Sequence, residues 1–281
     1  MMRRLSVFVL ILTLVLLLPR AAAAQDPTAP PAQPERSDPD VRLDPLQPDF
    51  ALGGLPTTLR MPRGKWAFRV THRFTRELGS GDFGDLASDL FGLDGGSQVG
   101  LEVRYGLLTG TQIGVHRTSD RTIQIFGQQS LMTQREGRDP IGLDAIATLE
   151  GWDNLTEQHQ SALGLVASRS IGGWATIYAE PIFVLNTNPF ATGDENTLML
   201  GLGTRVRVRP STYITAEYSP RMTGYAPNDA LIGFGVEMRA GGHLFQINVS
   251  NGWGTTLGQI ATGGIDYENW YLGFNIARKF F

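Results

Sequence analysis

Few side chains in this 281-residue sequence are of a type and spacing to do chemistry, and the first is a serine. Ser250-Asn251-Gly252 reproduces the last three positions of a His-x-Ser-Asn-Gly nucleophile motif, in which an imidazole activates the serine two residues on. The position that calls for histidine is Asn248, whose amide is no general base, and the nearest upstream imidazole, His243, stands at the opposite strand end. A lipid-hydrolysing serine is the remote reading. The other histidines, His72, His116 and His159, are scattered, and with no His-x-x-x-His pair and no cysteine they form no metal motif. Glycine pairs here end strands instead of opening helices, so they make no phosphate loop. No enzyme, cofactor or metal is expected.

What remains is charge at every second residue. Leu198, Leu200, Leu202, Val206 and Val208 fall on one face of an extended segment and Arg205, Arg207 and Arg209 on the other. Over the chain, Arg69, Arg73, Glu102, Arg104, Asp144, Glu150, Arg205, Arg207, Glu217, Glu237, Arg239 and Lys279 share the face opposite the apolar stripe. Two readings stand: a charged pore lining that selects small polar solutes, or an ion-pair ladder that fills a narrow lumen and carries nothing.

These residues lie in period-two runs that mark about twelve strands, each long enough to cross a bilayer at a tilt. They lie near Trp66 to Phe74, Val99 to Leu107, Ile113 to Val115, Thr122 to Met132, Ile141 to Glu150, Ser161 to Ile171, Trp174 to Leu185, Leu198 to Arg209, Thr212 to Met222, Leu231 to Ala240, His243 to Asn251 and Asn269 to Phe281. Alternation alone fits a soluble sandwich as well as a barrel. Three features favour a membrane barrel. Short turns, as at Gly172-Gly173, Pro210-Ser211 and Gly241-Gly242, alternate with mostly longer connections, as at Glu77 to Gly96 and Gly252 to Glu268. All five tryptophans fall at expected strand ends, where a girdle at the membrane surface would put them. A two-residue Gly241-Gly242 turn sets Met238 beside Phe245, Val236 beside Ile247 and Phe234 beside Val249, so both strands agree on the apolar face.

The last strand alternates to the chain end, with Trp270, Leu272, Phe274, Ile276 and Phe280 on one side and Gly273, Asn275, Ala277 and Lys279 on the other. Such a strand needs a partner or a closed sheet. It resembles the C-terminal insertion signal of bacterial outer-membrane barrels, which implies recognition by the barrel-assembly machinery. One strand is less clear: the apolar phase of Ser161 to Ile171 also carries Arg169, and a two-residue Gly-Gly turn would turn Glu180 to lipid, so a bulge or longer turn must intervene.

Net charge -3 with 18% charged residues excludes a basic nucleic-acid binder, and 34 glycines suit the turns of a barrel. Residues 1–24 read as a signal peptide, with Arg3 and Arg4 before an apolar core and Ala22-Ala23-Ala24 at the cleavage site. Residues 25–49 are Pro- and Asp-rich and read as a disordered periplasmic tail; residues 50–281 form the barrel domain. The stretch Phe50 to Gly64 is apolar and broken by Pro56 and Pro62, and is expected under the barrel mouth. Asp82 to Leu93 has helical spacing and is expected as a loop helix, either folded into the mouth or resting on the membrane surface.

The stretches Leu55-Pro56-Thr57-Thr58-Leu59-Arg60, Gly81-Asp82-Phe83-Gly84-Asp85-Leu86, Gly114-Val115-His116-Arg117-Thr118-Ser119-Asp120 and Tyr271-Leu272-Gly273-Phe274-Asn275 resemble an uncharacterised bacterial family of outer-membrane β-barrels, a domain of unknown function. The resemblance covers Phe50 to Phe281, implies the fold and carries over no catalytic residues. The expectation is therefore an all-β, antiparallel up-and-down transmembrane barrel of about twelve strands in the outer membrane of a Gram-negative-type bacterium, embedded in lipid, with its tail in the periplasm. Its expected role is a narrow pore or transporter for small polar solutes; the alternative is a plugged structural or partner-binding barrel. The same phase predicts a cross-strand pair: for the faces to match through a three-residue turn at Pro210-Ser211-Thr212, Arg205 stands opposite Glu217.

Overall fold

The computed structural model describes residues 44–188 and 195–280, so the expected leader, most of the tail and Phe281 lie outside the described residues. The strands are β1 (Trp66–Glu77), β2 (Ser97–Leu108), β3 (Thr111–Thr118), β4 (Ile123–Met132), β5 (Gly142–Gly151), β6 (Glu157–Ile171), β7 (Ala175–Leu185), β8 (Thr197–Arg209), β9 (Thr212–Ser219), β10 (Arg221–Thr223), β11 (Leu231–Ala240), β12 (His243–Ser250) and β13 (Tyr271–Phe280). Pro220 alone separates β9 from β10; without an amide hydrogen it breaks the ladder, so the two are one crossing and the barrel has twelve. Each strand pairs antiparallel with its neighbours, β1 with β13 and β8 with β9 included, so no sheet edge remains.

Alternation is inverted relative to a water-soluble protein. Ile247 is 67% exposed and Leu163 66%, whereas Arg205 and Glu237 are fully buried. That arrangement suits an apolar solvent outside and a polar interior.

The turns carry the register. Gly241 and Gly242 take φ of +52° and +81°, the left-handed pair of a primed hairpin turn, and Met238 lies opposite Phe245, Val236 opposite Ile247 and Phe234 opposite Val249, as the alternation requires. Between β6 and β7 the turn has three residues, with Ile171 paired to Ala175, and the added residue turns Glu180 inward. Arg169 does lie on the outward face. At the chain end Trp66 of β1 stacks on Phe280 of β13 with centroids 3.9 Å apart.

The expected helix over Asp82 to Leu93 is shorter. Helix α1 (Phe83–Ser88) begins at an Asp82/Asp85 capping box. It stops at Asp89, whose carboxylate binds Arg76 at 2.5 Å, and Leu90 and Phe91 reverse the chain in left-handed conformations. The segment rests on the outer face of β1, Gly92 against Phe74, and does not fold into the mouth. A second helix, α2 (Leu257–Thr262), was not expected; it interrupts the long connection before β13.

The tryptophans divide. Trp66, Trp152 and Trp174 are exposed at strand ends and Trp270 is half-buried on Phe234, but Trp253 turns to Tyr271, whose side chain is buried inside the barrel.

Candidate functional site: the closed lumen

Period two sends Arg69, Thr71 and Arg73 of β1, Glu102 and Arg104 of β2, Asp144 and Glu150 of β5, Arg205 of β8, Glu217 of β9 and Glu237 of β11 into the barrel, where each is buried. Arg207 and Arg239 lie at the rim by the chain-terminal end, where each reaches the carbonyl of Pro210. Lys279 binds the carbonyl of Pro48.

Arg69, Arg73, Arg205, Glu217 and Lys279 find partners in residues 44–62, of which 44–49 were expected in a disordered tail and the remainder under the barrel mouth. Residues 44–62 run in from the terminal end and back out, forming a tight hairpin: Leu52 N donates to Leu55 O at 2.8 Å and Thr57 N to Phe50 O at 2.9 Å, with Gly53-Gly54 at the tip. Phe50, Leu52, Leu55, Leu59 and Met61 are at most 4% exposed. On its way out the chain passes Gly106, where a Cβ would strike the Pro62 carbonyl, and Gly64 N donates to Gly106 O at 2.7 Å.

The wall holds the hairpin mostly by its main chain. Arg205 Nη2 donates to Ala51 O at 2.8 Å, and Gln128 to Thr57 O at 2.7 Å while also donating to Asp144 at 2.8 Å. Gln112 accepts from Met61 N and donates to Leu59 O. Arg69 and Arg73 converge on Gly53 O, and Glu217 accepts from the amides of Gly54 and Leu55. Arg104 pairs with Glu102 at 3.0 Å and lies between the rings of Phe50 and Phe126, at 5.1 and 4.5 Å.

From the loop end α2 closes the other half. Glu150 accepts from Gly258 N at 3.0 Å, Thr256 Oγ1 at 3.2 Å and Gln124 at 2.9 Å. Leu257, Ile260 and Ala261 join Leu52, Leu55, Ile182 and Met199 in one buried apolar cluster. Hairpin and helix meet at Gly54 and Ile260. Two pockets beside the hairpin have room for only about 10 and 30 Å³, the scale of one or two waters.

The expected Arg205–Glu217 pair is absent. Arg205 lies opposite Thr215, and Glu217 opposite Gly203, two residues away. The turn after β8 is tight, Arg209 facing Thr212, and the extra residue is a bulge at Val208. Arg205 instead reaches over β9 to Glu237, with Nε to Oε2 at 2.7 Å.

Ser250 donates its hydroxyl to Gly252 O at 2.6 Å, and Asn248 donates to Gln246. His243 meets Arg278 at the terminal end, His159 meets Leu155 O at the loop end, His72 stacks on Phe274 on the outer face and His116 is buried inside. Among the described residues no three His, Cys, Asp or Glu side chains cluster as a metal site.

A closed barrel with a polar interior and an apolar exterior meets its sequence relatives here: residues 50–280 match the family model described as "Membrane bound beta barrel domain (DUF5777)". The chain belongs to that family. No curated protein matches the sequence of this family member. Among solved structures the membrane-bound barrel is similar to the NanC porin, with 6% identity, a TM-score of 0.53, and coverage of 76% of this chain and all of that one. At that identity the likeness concerns the fold. The KdgM porin (8%, 0.49, 76% and 99%) and the COG4313 outer membrane channel from Pseudomonas putida F1 (12%, 0.48, 78% and 97%) align over similar lengths.

Proposed function

We propose that this membrane-bound barrel is an outer-membrane pore for small polar solutes, held shut in the conformation described by its own hairpin, residues 44–62. The observation that carries the proposal is the wall behind the hairpin. Twelve strands enclose more space than their inward side chains fill, and a separate piece of chain occupies the rest. Behind it the wall is lined by Arg69, Arg73, Glu102, Arg104, Glu217 and Glu237. Were the hairpin displaced and α2 drawn out of the loop end with it, a charged channel would stand open. Exposing five buried apolar side chains costs on the order of 10 kcal/mol, so the closed state is the resting one and unaided opening is rare.

The second reading, a plugged barrel without transport, is favoured by the small size of the two pockets beside the hairpin. Planar-bilayer recording separates the two. The pore reading expects rare openings of the native chain and frequent ones after Arg69→Gln with Glu217→Gln; silence from both, with folded-barrel mobility on gels, rejects it. The same proposal places the part of the tail before residue 44 in the periplasm, the outer face in lipid, and β13 as the strand read by the barrel-assembly machinery.

A further inference from the structure

Asp49 of the hairpin stands 3.9 Å from Arg69; the stretch 50–59 carries no charged side chain, yet three charged wall groups close on its tip. Arg69 Nη2 donates to Gly53 O at 2.6 Å, Arg73 Nη2 to the same oxygen at 3.3 Å, and Asn275 Nδ2 at 3.2 Å. On the far side of that peptide, Glu217 accepts from Gly54 N at 3.1 and 2.9 Å and from Leu55 N at 3.2 Å. Cations on a carbonyl and a carboxylate on the next two amides read peptide main chain by its own polarity. Apolar filling would not need them. The tip must also be small: a Cβ on Gly53 would enter the Glu217 carboxylate, and one on Gly54 would come within 2.9 Å of Ile260 Cδ1. The flanking Leu52 and Leu55 side chains are buried in the apolar cluster with Ile182, Met199 and Ile260.

We propose that the middle of the barrel is a receptor site for a peptide turn of the pattern apolar-Gly-Gly-apolar, filled in cis by Leu52–Leu55 and open to the same pattern in trans, and that short peptides of this kind are solutes of the opened barrel. The solute half rests on the pore reading; the binding half does not.

The test uses the full chain with a protease-cleavable insert between Arg63 and Gly64, both exposed. After folding and cleavage the hairpin is held only by noncovalent contacts, those to the tip among them. A fluorescein-labelled synthetic peptide of residues 44–62 is added, with unlabelled competitors of the native sequence and of its Gly53→Val variant. The site predicts a rise in anisotropy, reversed by the native competitor at a concentration at least tenfold below that of the variant. No binding to a cut barrel that keeps its folded gel mobility overturns the proposal, and so does equal competition. Should the cut barrel unfold, hydrogen exchange on the uncut chain decides: Glu217→Gln accelerates the Gly54 and Leu55 amides at least tenfold, and unchanged exchange overturns the site. Current through the cut barrel is recorded in parallel. Binding without current keeps the site and removes the pore reading; current without binding does the reverse.

Discussion

Arg205 donates to both carboxylate oxygens of Glu237, from Nε at 2.7 Å and Nη2 at 3.0 Å, with neither side chain reaching solvent. Removing one member strands the other in a dry interior. Glu237→Ala is expected to destabilise the barrel by about 3–5 kcal/mol, while Arg205→Met with Glu237→Leu together lie within about 1–2 kcal/mol of the native chain. Denaturant unfolding in detergent micelles measures both. A double-mutant cycle between Arg205 and Glu217, whose strands place them two residues out of register, is expected to give almost no coupling.

Glu217 holds the hairpin across 163 positions of sequence. Glu217→Ala leaves the Gly54 and Leu55 amides without acceptors, a loss of about 1.5–3 kcal/mol for bonds to a charged group. The effect is expected to concentrate in residues 50–59 and to leave β11 to β13 protected, which residue-resolved hydrogen exchange reads directly. Uniform deprotection of the barrel would show that the hairpin and the wall do not separate.

The outward face predicts a different sensitivity. Ile247, 67% exposed in mid-strand, faces lipid under the membrane reading, so Ile247→Arg is expected to cost about 2–4 kcal/mol for folding into liposomes. The same change in a soluble sandwich would be close to neutral, so a neutral result counts against lipid at this surface.

Orientation has its own measurement. With the long connections outside, Asp94→Cys and Glu268→Cys are labelled by an impermeant maleimide on intact cells. Gly137→Cys, in the turn between β4 and β5 at the terminal end, is labelled only after permeabilisation. The opposite pattern reverses the proposed placement.

The sequence by itself determined the wall. Side-chain direction alternates with a period of two whatever the strand's neighbours, so the inward placement of Arg69, Glu102, Arg205 and Glu237 and the pairing of Met238 with Phe245 follow from local pattern and one Gly-Gly turn. Only the tertiary structure decided what fills the lumen. The stretch from Phe50 to Leu59 has neither strand nor helix period, and its apolar residues show a need for burial without naming the place. Its partners lie far away in sequence, and Glu217 binds its main chain, which every residue carries and no side-chain pattern reveals. The bulge at Val208 was hidden for a related reason: one inserted residue leaves the alternation intact on either side and shifts only which partners meet, so Arg205 found Glu237 where local phase pointed to Glu217.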